Sequence, residues 1–461
     1  MGKSTLARGL IRALTRPDED VPSPTFTLVQ FYESEPAIAH FDLYRLTRPE
    51  EAFEIGLDEA LDEGCCVIEW PERLGDDLGR YLGPDLLKIE LCEQGAGRLA
   101  TVSGHRRRFL QGAGLGEAHR HALPGDASTR RYERLTTRDG ESLMFMDQAA
   151  ASERPPADPS WTPQERHAHG WNAVARLSAG RIEAFCAVAG HFRSLGLSAP
   201  QIPALDAEMG FAVLEDFGDD LFARVIEQGA EEAPLYLAAV EALAVLHDAG
   251  RPPQVLNGEA GPWPIQTYDE TALQGGCDLL VEWLPRLDDR IQLDERAVQD
   301  WREAWRPIVA SGAAGASILA HRDYHAENLI WLPERKGAAR VGMIDFQDAV
   351  CAHPSWDLHS LLQDARRDVS PELEALALER YFSLRPGVDR NAFMADYAGL
   401  AALNEARIIG VFARLIARDG KPRYRQFLPR MWRHLNANLE APALAPVARW
   451  FDRHIPAEAR Q

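Results

Sequence analysis

The sequence is poor in lysine, which occurs four times in 461 residues, so arginine supplies nearly all of the positive charge. The lysines are Lys3, Lys88, Lys336 and Lys421. Cysteine is also scarce, and the six cysteines form no CxxC pair and no regular disulfide framework, a usage typical of reduced thiols in the cytoplasm. No apolar run reaches the roughly 20 residues of a membrane helix, and no signal-peptide pattern follows the first residue. We therefore expect a cytoplasmic protein without membrane contact.

Acidic residues outnumber basic ones, 70 to 50, so the formal net charge is −20. Such a chain is poorly suited to the broad phosphate-backbone contact of a dedicated nucleic-acid binder, so no direct DNA binding is expected. A chain of 461 residues with 46% hydrophobic residues exceeds one average domain and can build real cores. Two or three domains are expected.

One stretch in the second half has the spacing of a phosphotransfer centre. His321-Arg322-Asp323 is followed, after four intervening residues, by Asn328, and a hydrophobic segment then ends at Asp345. In such centres one carboxylate accepts the proton of an attacking hydroxyl, while an amide and a second carboxylate hold Mg²⁺ against the ATP phosphates. Because these residue types fall at the required spacings together, we predict Asp323 as the catalytic residue and Asn328 and Asp345 as metal ligands.

The segment before this centre has the strand pattern of a kinase N-lobe. Residues 123–135 predict two strands joined by a small-residue loop, in which Gly125 and Ser128 would cover the ATP phosphates. Residues 210–218 predict a buried strand that leads into a hinge at Glu215, where kinases pair with adenine. No lysine lies between Lys88 and Lys336, so the usual strand lysine is missing. Arg130 or Arg131 could replace it, since guanidinium pairs well with phosphate oxygens; a solvated strand arginine is the equal alternative for each.

Residues 109–461 resemble the aminoglycoside/choline kinase superfamily and, more narrowly, the AmgK-type kinases. The shared motifs are G-D-A-S-x-R-R-Y, L-E-D-F-G, H-R-D-Y-H-x-x-N, I-D-F-Q-D-A and L-L-Q-D-A-R-R-D-V. The resemblance implies an α+β two-lobed protein-kinase-like fold, with an N-lobe at about 109–215 and a C-lobe at about 216–461. It also implies phosphorylation of N-acetylmuramate or N-acetylglucosamine at the anomeric hydroxyl, a step of cell-wall recycling. Another small hydroxylated acceptor, such as an aminoglycoside, choline or homoserine, stays open.

The first residues look like the tail of a phosphate-binding loop. In Gly2-Lys3-Ser4-Thr5 the lysine would reach the β/γ-phosphates, the serine hydroxyl would bind Mg²⁺, and N–H groups at the helix start would cradle phosphate oxygens. Two later segments predict buried strands that end at Asp42 and at Glu69. Open α/β sheets bind ligands at such strand ends, so a nucleotide site is expected there.

Through about Ser103 the chain resembles the TsaE family, the ATPase component of the bacterial tRNA threonylcarbamoyladenosine-modification machinery. The motifs are S-P-T-F-T, H-F-D-L-Y-R and E-W-P. The resemblance implies an α/β P-loop NTPase domain in which Asp42 and Glu69 order the metal or the attacking water and Trp70 lies beside the nucleotide. It implies modification proteins of the TsaB/TsaD type as partners. A core position for Trp70, a plain strand-end carboxylate at Asp42, and a non-catalytic docking role for the whole domain are the alternatives.

Two expectations concern the limits of these domains. The first strand and the start of the phosphate-binding loop are missing relative to the TsaE pattern, so we expect translation to begin upstream of Met1. Residues 95–108 are polar and predict a short linker, which divides the chain into domains at 1–105 and 106–461.

Three residues near the phosphotransfer centre have two possible roles each. Asp348 and His325 could contact metal or sugar or be structural. Asp357 could be an N-cap or could support the catalytic loop, and we favour support.

Overall fold

A computed structural model describes residues 2–75, 86–94, 97–123, 130–148 and 158–460. The chain forms two compact units, Met1–Ala118 and His119–Gln461. The boundary therefore lies C-terminal to the one expected after residue 105. The linker prediction is wrong, because residues 97–104 form a strand and the arginine triplet lies in the helix His105–Gly112.

The first unit is an α/β unit with a three-stranded sheet in the order β1-β2-β3. Its elements are α1 (Lys3–Leu14), β1 (Val29–Tyr32), β2 (Ala37–Asp42), α2 (Glu51–Glu54), α3 (Leu57–Glu63), β3 (Gly64–Glu69), β4 (Leu87–Gln94), β5 (Gly97–Gly104) and α4 (His105–Gly112). β2 and β3 are parallel, and their register pairs Asp42 with Glu69. The carboxyl ends of both strands meet at one edge of the sheet, as the sequence predicts. Phe41 and Leu43 fill the core below that edge.

The second unit begins with a five-stranded antiparallel sheet in the order β6-β7-β8-β10-β9. These strands and the helices among them are β6 (His119–Ala122), β7 (Arg131–Thr136), β8 (Ser142–Asp147), α5 (Pro163–His169), α6 (Trp171–Val174), α7 (Ile182–Ser194), β9 (Ala204–Asp206) and β10 (Phe211–Glu215). The turn residues Thr137-Arg138-Asp139-Gly140 predict a hairpin, and a hairpin turn joins β7 to β8 at this place. Gly140 adopts φ 83° there, a left-handed conformation that glycine adopts without strain.

The rest of the second unit is mainly helical. It contains α8 (Phe222–Glu227), α9 (Glu232–Asp248), β11 (Val255–Gly258), β12 (Gly261–Pro264), α10 (Glu270–Leu287), α11 (Glu295–Ala314), β13 (Ile318–Ala320), β14 (Leu329–Trp331), β15 (Val341–Met343), β16 (Val350–Ala352), α12 (Ser355–Leu362), α13 (Pro371–Leu384), α14 (Arg390–Ala417), α15 (Leu428–Asn438) and α16 (Ala445–His454). Asp269 and Asp294 cap α10 and α11 by accepting backbone N–H groups at 3.0 and 2.7 Å. One core cluster contains Phe185 and Phe346, and the other is rich in tryptophan. Two short strand pairs, β13 with β16 and β14 with β15, hold the loops of the predicted phosphotransfer centre.

Candidate active site

The loop after β13 carries Asp323 and is fixed by its two preceding residues. Arg322 adopts φ 84° and its guanidinium donates to the carbonyl oxygens of Ala175 and Arg176 at 2.9 and 3.3 Å. His321 is fully buried beside aromatic rings, and burial lowers its pKa to about 4, so its imidazole is neutral. Asp323 itself is half-buried, so its carboxylate stays accessible to a substrate.

Asp357, near the start of α12, supports this loop from below. Its two carboxylate oxygens accept the backbone N–H groups of His321 and Arg322 at 2.7 and 2.8 Å. The residue at the N-cap position of α12 is Pro354, so the favoured alternative for Asp357 is confirmed. Asp357 is completely buried, and burial raises its pKa to about 7.

Asn328 and Asp345 come together because β14 and β15 pair. The N–H of Ile344 donates to the carbonyl oxygen of Asn328 at 3.1 Å, so Asp345 follows directly beside Asn328. The side-chain amide nitrogen of Asn328 donates to the carbonyl oxygen of Asp323 at 2.8 Å, so Oδ1 is the atom of this side chain that could bind a metal. Asp345 adopts φ 62°, and its carboxylate is 42% exposed. Mg²⁺ is typically held by one or two protein oxygen ligands together with substrate phosphates, so this pair fits the metal.

Arg130 reaches this pair from the N-lobe side. Its guanidinium donates to Asp345 Oδ1 at 2.5 Å and to Gln347 Oε1 at 2.9 Å, while Gln347 also donates to Asp345 Oδ1 at 3.2 Å. Burial disfavours the charged form of Asp345, but the positive charge of Arg130 outweighs burial and lowers the pKa of Asp345. Arg131, by contrast, is exposed at the start of β7. Only one of the two arginines therefore lies at the predicted metal ligand.

Glu215 ends β10 where the sequence predicts the hinge. Its carboxylate pairs with Arg335 and accepts the N–H of Gln201 at 3.3 Å, so its side chain fixes the strand end. The next residue, Asp216, accepts hydrogen bonds from the Arg134 guanidinium at 2.7 Å and the Gly218 N–H at 2.9 Å. The backbone N–H of Glu215 also has a partner, the carbonyl oxygen of Gln201 at 2.9 Å, and the nucleotide contact at this residue stays a prediction.

Three further predictions have different outcomes. His325 Nε2 lies 3.3 Å from the Asn328 amide nitrogen and 3.2 Å from a terminal nitrogen of Arg366, next to the metal-ligand pair. Asp348 accepts the N–H of Ser178 at 2.6 Å, a structural contact. Gly125 and Ser128 lie outside the described residues.

The first unit brings its predicted nucleotide residues to one place. The Lys3 ammonium lies over the Trp70 ring, 3.2 Å from the centroid, and Trp70 packs on Tyr44. The Ser4 hydroxyl donates to Glu69 at 3.1 Å, at the start of α1. Lysine, serine and the strand-end glutamate are thus adjacent, an arrangement able to hold phosphate and metal together.

The remaining predicted residues of the first unit differ in their surroundings. Gly2 adopts φ 107° before α1, and Thr5 is exposed on the first turn. Asp42 is buried, and its two oxygens accept the Thr25 hydroxyl at 2.7 Å and the Tyr44 N–H at 3.0 Å. These bonds fix the orientation of the Asp42 carboxylate at the sheet edge.

Sequence reasoning assigned no individual role to several residues that contact the predicted site. They are Thr25, which orients Asp42; His40, whose Nε2 lies 3.1 Å from Glu69; Gln347, which links Arg130 to Asp345; and Arg366, which contacts His325. All four lie within motifs quoted above. Their polar character inside those motifs was the available signal, but their partners are distant in sequence.

Comparison with known families matches both units. Residues 1–100 match the family model described as threonylcarbamoyl adenosine biosynthesis protein TsaE. Residues 119–403 match the model described as phosphotransferase enzyme family. The two family resemblances found in the sequence are confirmed, and with them the α/β class of the first unit and the kinase-like class of the second.

Individual relatives agree with these matches. The chain is 55% identical over 365 residues to the N-acetylmuramate/N-acetylglucosamine kinase of Caulobacter vibrioides, covering 78% of this chain and all of that protein. The kinase of the same name from Pseudomonas aeruginosa is 29% identical over 70% of this chain and 84% of its own length. The TsaE protein of Rickettsia felis is 38% identical over 91 residues, 20% of this chain, and the chain spans about half (51%) of its length. In the described part of the chain, no helix combines the length and apolarity needed to cross a membrane.

Proposed function

Because the chain belongs to the phosphotransferase enzyme family, we propose that its second unit transfers the γ-phosphoryl group of ATP to the anomeric hydroxyl of N-acetylmuramate or N-acetylglucosamine. The observation that carries the proposal is the match to the Caulobacter kinase along that protein's entire length. Such a reaction would place the chain in cell-wall recycling. The enzyme is a phosphotransferase that carries an additional TsaE-type domain.

The residues around Asp323 have the arrangement that this transfer needs. Asp323 accepts the proton of the sugar hydroxyl, or orients that hydroxyl, from a loop that Asp357 holds in place. Asn328 Oδ1 and the Asp345 carboxylate would hold Mg²⁺. When bound, Mg²⁺ neutralises the charge that develops on the phosphates.

Arg130 takes the place of the N-lobe lysine in this proposal. Its guanidinium already lies 2.5 Å from Asp345, where the phosphates and the metal would meet. When ATP binds, the guanidinium would exchange its carboxylate partner for phosphate oxygens, which two of its N–H groups can contact in a fork. Gln347 stays bonded to Arg130 and guides that exchange.

For the first unit we propose ATP binding as part of the tRNA threonylcarbamoyladenosine-modification system, with partners of the TsaB/TsaD type. Lys3, Ser4, Glu69 and Trp70 form the nucleotide site, supported by the contacts among them. The test is retention of the modification proteins by the immobilised full chain, with and without ATP. Lys3→Ala should weaken an ATP-dependent interaction, whereas Arg16→Ala, which removes an exposed cation bonded to Glu19 just after α1, should not. Equal retention by all three proteins would refute the nucleotide role of Lys3.

The kinase proposal is tested with the purified full chain, ATP and Mg²⁺. Phosphorylation of both amino sugars is expected, with the new phosphate on the anomeric oxygen as located by phosphorus–proton coupling in NMR spectra. Aminoglycosides, choline and homoserine serve as competing acceptors. Asp323→Asn should lower kcat by several orders of magnitude and leave ATP binding nearly unchanged, because general-base catalysis and positioning together contribute at least about 10²–10⁴-fold. A preferred acceptor among the competing compounds, or near-normal turnover of Asp323→Asn, would contradict the proposal.

A further inference from the structure

The segment that follows α12 lies against the catalytic loop and places the guanidinium of Arg366 beside it. The N–H of Arg366 donates to Asp364 at 2.8 Å, and Arg430 donates to the carbonyl oxygen of Ala365 at 3.0 Å, so the backbone of this segment is held on both sides. The side chain of Arg366 then extends to the catalytic loop, where its Nε lies 3.0 Å from Glu327 Oε2. The neighbouring Arg367 pairs instead with Glu232 on α9.

Arg366 lies close to the phosphoryl-transfer residues. A terminal guanidinium nitrogen of Arg366 and the Asn328 amide nitrogen approach the same atom, His325 Nε2, at 3.2 and 3.3 Å. The two nitrogens can therefore be no farther apart than those two distances combined, a span comparable to one pyranose ring. Because guanidinium cannot accept a hydrogen bond, His325 Nε2 is the acceptor in its contact with Arg366.

The guanidinium of Arg366 keeps donors available for a ligand. Arginine has five N–H donors, and the contacts to Glu327 and His325 use one each. The side chain is 33% exposed, so the remaining donors can be reached from solvent. Two parallel N–H groups of a guanidinium match the two oxygens of a carboxylate.

The two proposed substrates differ in charge at one place. N-acetylmuramate carries a lactyl ether with a carboxylate on the ring carbon two positions from the anomeric centre, and N-acetylglucosamine carries a hydroxyl there. The site contains the carboxylates of Asp323 and Glu327 on the catalytic loop and of Asp345 after β15, which repel such a substituent unless a cation lies beside it. We infer that Arg366 binds the lactyl carboxylate of N-acetylmuramate and so determines which of the two sugars the enzyme prefers. This inference rests on the proposed function.

The test compares kcat/KM of Arg366→Gln and the unchanged enzyme for both sugars. Loss of a charge-assisted contact should lower kcat/KM for N-acetylmuramate at least about tenfold and change that for N-acetylglucosamine less than about threefold. The matched control is Arg433→Gln. This change removes an exposed arginine of α15 that is bonded to Asp368, a residue of the same segment as Arg366, and it should alter neither kcat/KM value. Activity toward N-acetylglucosamine also reports that Arg366→Gln is folded.

A substrate change completes the test. The carboxamide of N-acetylmuramate keeps the shape of the lactyl group without its charge, so Arg366→Gln should use the acid and the amide about equally, while the unchanged enzyme prefers the acid. Equal losses for both sugars, or an unchanged value for N-acetylmuramate, would overturn the role of Arg366 and leave the proposed function standing. If the unchanged enzyme phosphorylates neither sugar, the proposed function fails, and the inference fails with it.

Discussion

Asp357 provides the sharpest test of how the catalytic loop is held. The side chain is completely buried and accepts the N–H groups of two consecutive loop residues, His321 and Arg322, directly before Asp323. In Asp357→Asn one oxygen can still accept, but the amide group that replaces the other oxygen faces an N–H donor. In Asp357→Ala both donors lose their partner. The two variants therefore remove one and two buried hydrogen bonds from the same loop.

The expected loss of stability follows from the number of backbone N–H donors that each variant leaves unpaired. Each buried N–H left without a partner costs about 1–3 kcal/mol, so Asp357→Asn should lower the free energy of unfolding by about 2 kcal/mol and Asp357→Ala by about twice as much. The loop displacement should reduce turnover as well, because a shift of about 1 Å at a reacting group can cost about 100-fold. We expect kcat to fall by roughly that factor in Asp357→Asn, with the KM for ATP little changed.

The assay combines turnover with hydrogen exchange of the peptide that contains residues 321 and 322. Faster exchange of this peptide, together with lower kcat, is expected in both variants. Asp389 is the matched control: it also accepts two backbone N–H groups, at 3.0 and 3.1 Å, but it is exposed at the start of α14. Asp389→Asn should change neither quantity measurably. Normal kcat and unchanged exchange in Asp357→Asn would refute the conclusion that these two bonds position Asp323.

Two further predictions concern Arg130 and a buried carboxylic acid. Arg130→Gln should lower kcat/KM for ATP about 10–100-fold, since a charged contact to phosphate is lost, and Arg130→Lys should recover part of it; Arg131→Gln is the control, and equal effects of the two glutamine variants would contradict the assignment. Burial raises the pKa of Glu405 well above its ordinary value of 4.5, so the folded protein binds more protons than the unfolded chain and loses stability as pH rises above that value. Thermal unfolding across pH 4.5–7 should show a flatter profile for Glu405→Gln, and parallel profiles would exclude Glu405 as the source of the slope.

The sequence predicted those parts of the fold that local pattern determines. Strands ending at Asp42 and Glu69, the hairpin around Gly140 and the loops of the phosphotransfer centre all appear where periodicity and turn residues indicate them. The linker prediction failed for a physical reason. The strand Gly97–Gly104 is largely exposed and polar, so it lacks the apolar alternation that identifies a half-buried strand. Its pairing with Leu87–Gln94 defines it, and pairing is not visible in a single segment.

The sequence alone could not distinguish Arg130, directly before β7, from Arg131, at the start of that strand. Composition excludes a lysine in the N-lobe, but it leaves Arg130 and Arg131 equivalent. Neighbouring residues of an extended chain point to opposite sides, so only one of the two can face the nucleotide. Which arginine faces that site depends on Asp345 and Gln347, more than 200 residues away. Their side-chain oxygens accept hydrogen bonds from the Arg130 guanidinium at 2.5 and 2.9 Å. The planar guanidinium of Arg130 has several N–H donors and so contacts Gln347 and Asp345 at the same time, a pairing of distant residues that no local sequence pattern indicates.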